Sequence, residues 1–128
     1  MRDDRGSATL VMTALVAVIA VSAIAVAALA SLYAARALAQ TAADAGALAA
    51  AVATYPPAGD GDPGTVARAV VEANGAVLIG CKCARDDRLR ARVVEVVAAV
   101  QTRVPVFGSL TVRGSSRAEF DPARWLHP

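Results

Sequence analysis

From residue 8 to residue 35 the chain runs for 28 residues without a charged side chain, ATLVMTALVAVIAVSAIAVAALASLYAA. About 20 apolar residues carry a helix across roughly 30 Å of hydrocarbon, so this run can span a bilayer with some tilt. A core helix of a soluble protein is the alternative, but soluble helices of this length carry a polar face. Here the polar groups are only Thr9, Thr13, Ser22, Ser31 and the hydroxyl of Tyr33. Such hydroxyls bond to carbonyls of their own helix, which keeps their cost in lipid low. The run is also about twice the 7–15-residue apolar core of a secretory signal, so an uncleaved anchor is expected. Arg2 and Arg5 precede it, only Arg36 closely follows, and the seven-residue leader is short. That bias places the N-terminus in the cytoplasm and the C-terminal part outside it.

The remainder of the composition follows from this division. Apolar residues make up 56% of the chain, above the roughly 45–50% of soluble domains, and the excess lies in the first 53 residues. A net charge of +2 is too small to favour nucleic acid or an acidic substrate. Aromatics are 4%, so a core must be built from Val, Leu, Ile and Ala, with Phe107, Phe120 and Trp125 as the large fillers.

The apolar run does not end in a turn. It continues to residue 53 with no proline before Pro56 and Gly46 as its only glycine, and 12 of the 20 residues 34–53 are alanine, the best helix former. One continuous helix over about residues 8–53 is predicted, on the order of 70 Å long. This exceeds twice the hydrocarbon thickness, so its second half stands in water or against another protein. Arg36, Gln40 and Asp44 form an i, i+4, i+8 polar stripe. Small residues recur every four positions at 31, 35, 39, 43, 47 and 51, and again at 42, 46 and 50. Alanine-rich composition alone produces such rows, but small rows also let helices approach closely, and an exposed helix would carry more charge. Ala39, Ala42, Ala43, Gly46, Ala47 and Ala50 are therefore the candidates for helix packing.

Arg5-Gly6-Ser7, the long apolar helix and the pattern AR-x-x-x-Q-x-AADA-x-ALAAA at 35–51 together resemble the N-terminal region of TadE/TadG-like proteins. These are pilin-like membrane components of tight-adherence (Flp) pilus assembly. The chain length, and VVEANGA at 70–76 leading into Cys81, are similar to short TadE-like proteins found near secretion and DNA-translocation genes. The resemblance implies a single-pass protein whose partners are the membrane and other pilin-like Tad-system proteins. Family members with a pilin-type leader are cut after a glycine that precedes a Glu by five residues. Gly6 is the matching glycine and the candidate processing site, but Val11 stands in place of the Glu, so the helix is expected to be retained. Short members often carry a Cys near the positions of Gly64 and Thr65; this chain has Cys83 instead.

Residues 55–64, YPPAGDGDPG, read as a hinge. Asp62 suits an N-cap, Pro63 the first helical position and Gly75 a C-cap, giving a helix over about 63–74 with Val66, Ala69, Val70 and Ala73 inward. A strand follows with Val77, Ile79, Cys81 and Cys83 on one face and Leu78, Gly80 and Lys82 on the other. Residues 85–87 suit a hairpin turn. A second strand over about 88–101 has Arg88, Arg90 and Arg92 outward and Leu89, Ala91 and Val93 inward. Its pattern slips at Val93-Val94, which suggests a bulge, with a helix over VVEVVAAVQT as rival. The third strand, about 110–120, turns Leu110, Val112, Ala118 and Phe120 inward. The expected class is α+β: a leader at 1–7, a transmembrane and extended helix at 8–54, the hinge, one helix on a three-stranded antiparallel sheet at 65–120, and a tail at 121–128.

No catalytic constellation is legible. His127 is the only histidine, which excludes a two-histidine metal site, and no general base can be paired with a nucleophile. Asp60, Asp62, Asp86 and Asp87 fall in turns, and GDGD at 59–62 lacks the 12-residue pattern of a calcium loop. Cys81 and Cys83 are the one motif with chemistry. At i, i+2 in an extended strand their Cα atoms lie about 6.5–7 Å apart, at the edge of disulfide geometry. A bridge, an intermolecular disulfide, a redox pair and two buried thiols are the alternatives, the last the commonest for such pairs.

The expected function is structural, without enzyme activity, cofactor, nucleic acid or small-molecule substrate: a component of a Tad/Flp-type pilus or secretion apparatus. An envelope-anchored binding module, with the helix as tether, and a thiol-redox membrane protein are the rival readings. A C-terminal reporter active only outside the cytoplasm is expected to give signal. Activity of a cytoplasm-specific reporter at the same position would reverse the orientation.

Overall fold

The alanine-rich sequence forms a single helix, α1, over Arg5–Ala53, 49 residues without a break. It ends where Pro56 disfavours helical conformation in the residue before it, and Thr54 closes the last turn through its amide and hydroxyl, both on the Ala51 carbonyl. The computed structural model describes residues 5–126; positions 1–4 of the leader and His127 lie outside the described residues.

A short helix, α2, spans Pro63–Ala73. Its N-cap is Asp62, whose carboxylate accepts from the Thr65 amide at 2.9 Å. Gly75, at a φ of +76°, turns the chain out of it. Three strands follow, β1 Val77–Lys82, β2 Arg92–Val104 and β3 Gly108–Phe120, and then a one-turn helix, α3, Pro122–Leu126, within the expected tail. The strands form one antiparallel sheet in the order β1-β2-β3. The α+β class and the three-stranded meander agree with the sequence reading.

The helical layer, however, contains two helices. The C-terminal half of α1 lies across the inner sheet face beside α2, and Ala39, Ala42, Ala43, Ala47 and Ala50 are completely buried there. Thus the segment expected to stand in water or against another protein is the spine of the chain's own domain. The region read as a hinge is held at its ends: Tyr55 and Pro63 are buried and the Gly59 amide returns to the Tyr55 carbonyl, while Pro56, Pro57 and residues 60–62 are exposed.

Alanine and glycine set the spacing of these layers. A Cβ added to Gly46 would lie 2.7 Å from Val71 Cγ2, and one added to Gly114 of β3 would lie 2.5 Å from the Ala39 carbonyl carbon. The Val71 side chain fits against Gly46 and orients α2, so its buried line is Pro63, Ala67 and Val71 and not the expected Val66, Ala69, Val70 and Ala73.

The strand details also differ. The β1–β2 register shifts between Leu78 and Gly80, so the bulge lies at Ile79 and not at Val93-Val94. One extra residue reverses the alternation: Leu78 and Cys81 pack on the core, while Val77 and Ile79 are exposed. The β2–β3 register runs unbroken from Arg92 opposite Phe120 to Val104 opposite Gly108. Along β2 the residues turned inward are Val94, Val96 and Ala98, and Val93 is 61% exposed. Segment 92–101 is a strand, so the helical rival is not adopted. Val112, Ala118 and Phe120 of β3 face inward as expected, and Leu110 lies on the same side but beyond the covered core. On the outer face Glu95 takes Lys82 at 3.5 Å and Arg117 at 3.2 Å across the two ladders.

Gly114→Ala is expected to push β3 off α1 and lower stability by about 1–3 kcal/mol, the scale of core overpacking. Gly80→Ala meets nothing within 4 Å and is expected to stay within about 0.5 kcal/mol, as for surface changes. Urea unfolding of both variants in the same detergent checks the difference; equal midpoints would mean that the close approach is not maintained.

Candidate functional site

Three regions hold the residues that the sequence singled out. The first is the small-residue surface of α1. All six packing candidates, Ala39, Ala42, Ala43, Gly46, Ala47 and Ala50, are buried under the sheet and α2. One row does meet a helix, since Gly46 faces Val71 and the Ala67 carbonyl, but that helix belongs to the same chain. Gln40 of the polar stripe donates to Asp44 Oδ1 and to the Ser115 carbonyl, each at 3.0 Å, tying α1 to β3. The surface that α1 leaves open in the domain includes Leu48, 65% exposed, and Val52.

The second region is the corner where α1 ends. Cys81 and Cys83 form a disulfide with Cα atoms 5.4 Å apart, and neither thiol is free. Cys83 lies one residue past the end of β1, where the chain is no longer held extended, and so comes closer than strand spacing allows. Both cysteines are half-buried against the core. Beside them, residues 84–91 form a loop, and β2 begins only at Arg92. The expected arginine ridge therefore does not exist as a strand face.

These arginines instead bind carbonyls and a carboxylate. Arg92 donates to the Thr54 carbonyl at 3.1 Å, and also to the carbonyls of Asp86 and Arg88; its guanidinium sits 5.8 Å above the Tyr55 ring. The Thr54 carbonyl further accepts the Asp86 amide at 2.9 Å. A cation thus closes the C-terminus of α1, where carbonyls lack helical partners. Arg90 pairs with Asp86 at 2.9 Å, and Arg85 donates to the Gly61 carbonyl at 2.8 Å. Arg92 as a helix clasp was not legible in sequence, because its partners are main-chain atoms up to 38 residues away. The Asp86 carboxyl is held below its ordinary value, chiefly by the Arg88 amide, against partial desolvation and with help from Arg90 and Arg92.

The third region is the open part of α1. Residues 8–27 are all exposed, and Ala28 is the first buried one among the described residues. Twenty residues at about 1.5 Å each make about 30 Å, the hydrocarbon thickness of a bilayer. Among the described residues α1 is the one helix long and apolar enough to cross a membrane. Two of its hydroxyls bond within the helix: Thr13 donates to the Thr9 carbonyl and Ser22 to that of Val18, both at 2.8 Å. No cluster of His, Cys, Asp and Glu able to hold a metal occurs among the described residues. Comparison with protein families, curated proteins and solved structures finds no match to this chain.

The depressed Asp86 value carries a sign. The carboxylate supports the folded loop fully above the ordinary aspartate range, about pH 4, and that support is lost as pH falls through the lower folded value. Titration of the Asp86 side-chain carbon resonance is expected to give a midpoint below that of an unfolded aspartate; a midpoint at or above it would show that the loop contacts do not hold.

Proposed function

We propose that this protein is a pilin-like, single-pass membrane component of a Tad/Flp-type pilus-assembly or secretion apparatus. Its N-terminus lies in the cytoplasm and its domain outside, and its role is structural. The observation that supports this most is the division of α1. One unbroken helix is bare and apolar for about 30 Å and then becomes the spine of a folded head. A head built around its own anchor cannot swivel freely on it. Its orientation to the membrane is thus fixed, which suits a subunit that meets neighbours both within the bilayer and outside it. A tethered binding module would instead need residues 35–53 as a free spacer, and Ala42, Ala43, Ala47, Ala50 and Ala51 of this stretch belong to the core of the head. The N-terminal motifs at 5–7 and 35–51 that resemble TadE/TadG-like proteins lie on this same helix.

Because the Gly46 surface is filled by the chain itself, partner contacts fall to the open surfaces, the flank at Leu48 and the small residues of the bare segment. Leu48→Arg leaves the core intact, and Ala23→Leu with Ala27→Leu keeps the span apolar. At equal membrane levels, at least one of these variants is expected to lose co-purifying envelope proteins about tenfold or more, the scale of a mispaired interface charge. Undiminished recovery with both would overturn the assembly role.

A further inference from the structure

The β2–β3 hairpin ends in Val-Pro-Val-Phe-Gly at 104–108. The Phe107 amide donates to the Val104 carbonyl at 3.2 Å, closing a turn with Pro105 and Val106 at its centre. Val106 has a φ of +72°, the left-handed region where turns use Gly or Asn and where a β-branched side chain is strained. That side chain does nothing for the core, being 84% exposed, and the neighbouring Phe107 is 73% exposed. An apolar tip is thus held in place at a cost to the turn.

The tip sits at a particular height on α1. A groove of about 490 Å³ separates the two, walled entirely by apolar side chains that include Ala28, Leu29 and Leu32 of α1 and Val104, Phe107 and Leu110 of the hairpin. This is the level at which the bare segment of α1 ends. One turn further on come Tyr33 and Arg36, both exposed, and Arg103 directly precedes Val104 on the hairpin. Aromatic and cationic side chains of this kind belong at the headgroup level. Residues 96–118 include Arg103, Arg113 and Arg117 but no carboxylate; the hairpin's two glutamates, Glu95 and Glu119, lie at its end away from the tip, so no carboxylate near the tip repels a phosphate surface.

We propose that Val106 and Phe107 insert into the outer leaflet and that lipid acyl chains fill the groove between the hairpin and α1. This rests on the reading that α1 crosses the bilayer. The hairpin is then a second, shallow membrane contact beside the deep one, and the two together set the depth and tilt of the head. Lipid is the occupant that the height dictates, because the groove opens onto the same apolar helix surface that the hydrocarbon covers.

Tryptophan depth measurement tests this. Trp125 is the only tryptophan, so Phe107→Trp and Ile19→Trp, each with Trp125→Phe, report separately on the tip and on mid-span. The full chain is reconstituted at low protein-to-lipid ratio in phosphatidylcholine vesicles brominated either near the headgroup or near the chain end. Tryptophan at 107 is expected to emit at shorter wavelength than in urea and to lose more emission to the shallow bromines than to the deep ones; at 19 the order reverses. Quenching at 19 but not at 107 would overturn the proposal and leave the span standing. Blue-shifted but unquenched emission at 107 would assign the groove to a second copy of the chain, also against it. Absence of quenching at 19 would remove the span and the proposal together.

Discussion

The close approach of α1 to the sheet is the contact on which the other layers depend. At Gly114 the backbone of β3 comes so near Ala39 that a single added carbon would fall 2.5 Å from the helix main chain, and at Gly46 the same helix receives Val71 of α2. With these two contacts fixed, β2 places Val94, Val96 and Ala98 over the buried alanines, and β1 follows as the outer strand of the meander. A core with few aromatics can be well filled in this way, since small residues on one layer let valines of the others reach full contact.

The same alanine- and valine-rich helix presents two different surfaces. Its first half is bare and its second half is clad by the sheet and α2, and nothing in backbone conformation marks the boundary. What changes is the partner. In the bare half, Thr13 and Ser22 turn their hydroxyls back onto carbonyls of the same helix, an arrangement that suits an apolar surrounding. In the clad half, Gln40 reaches across to Ser115 and Thr54 is buried with its hydroxyl on Ala51. Rigidity of the joint follows, because one unbroken helix runs from the bare half into the head with no segment between them.

At the far end of α1 the chain must stop the helix, turn, and later bring β2 back past it. Arg92 joins these events, holding the Thr54 carbonyl just past the helix, the loop before β2 and the face of Tyr55 together. Tyr55 in turn meets Phe120 and Trp125, with ring centroids 6.4 Å apart in each pair. Three of the head's aromatics, Tyr55, Phe120 and Trp125, thus gather at the end of α1, the corner that also carries the Cys81–Cys83 bridge.

Sequence alone determined what local chemistry controls. Helix length came from alanine content and the absence of proline, the α2 boundaries from Asp62, Pro63 and Gly75, and the three-strand count from alternation and turn residues. The α+β class followed from their order. What only the tertiary structure decided was how these elements face one another. The alanine rows were legible as a packing surface, but periodicity cannot say whether a partner is another chain or the chain's own sheet, because both bury a small-residue face equally well. The α2 face rotated to seat Val71 against Gly46, and the extra residue at Ile79 reversed the faces of β1, since a strand's period of two inverts with any single insertion. Arg92 stayed invisible because its partners are carbonyls, which every residue carries and no sequence pattern marks.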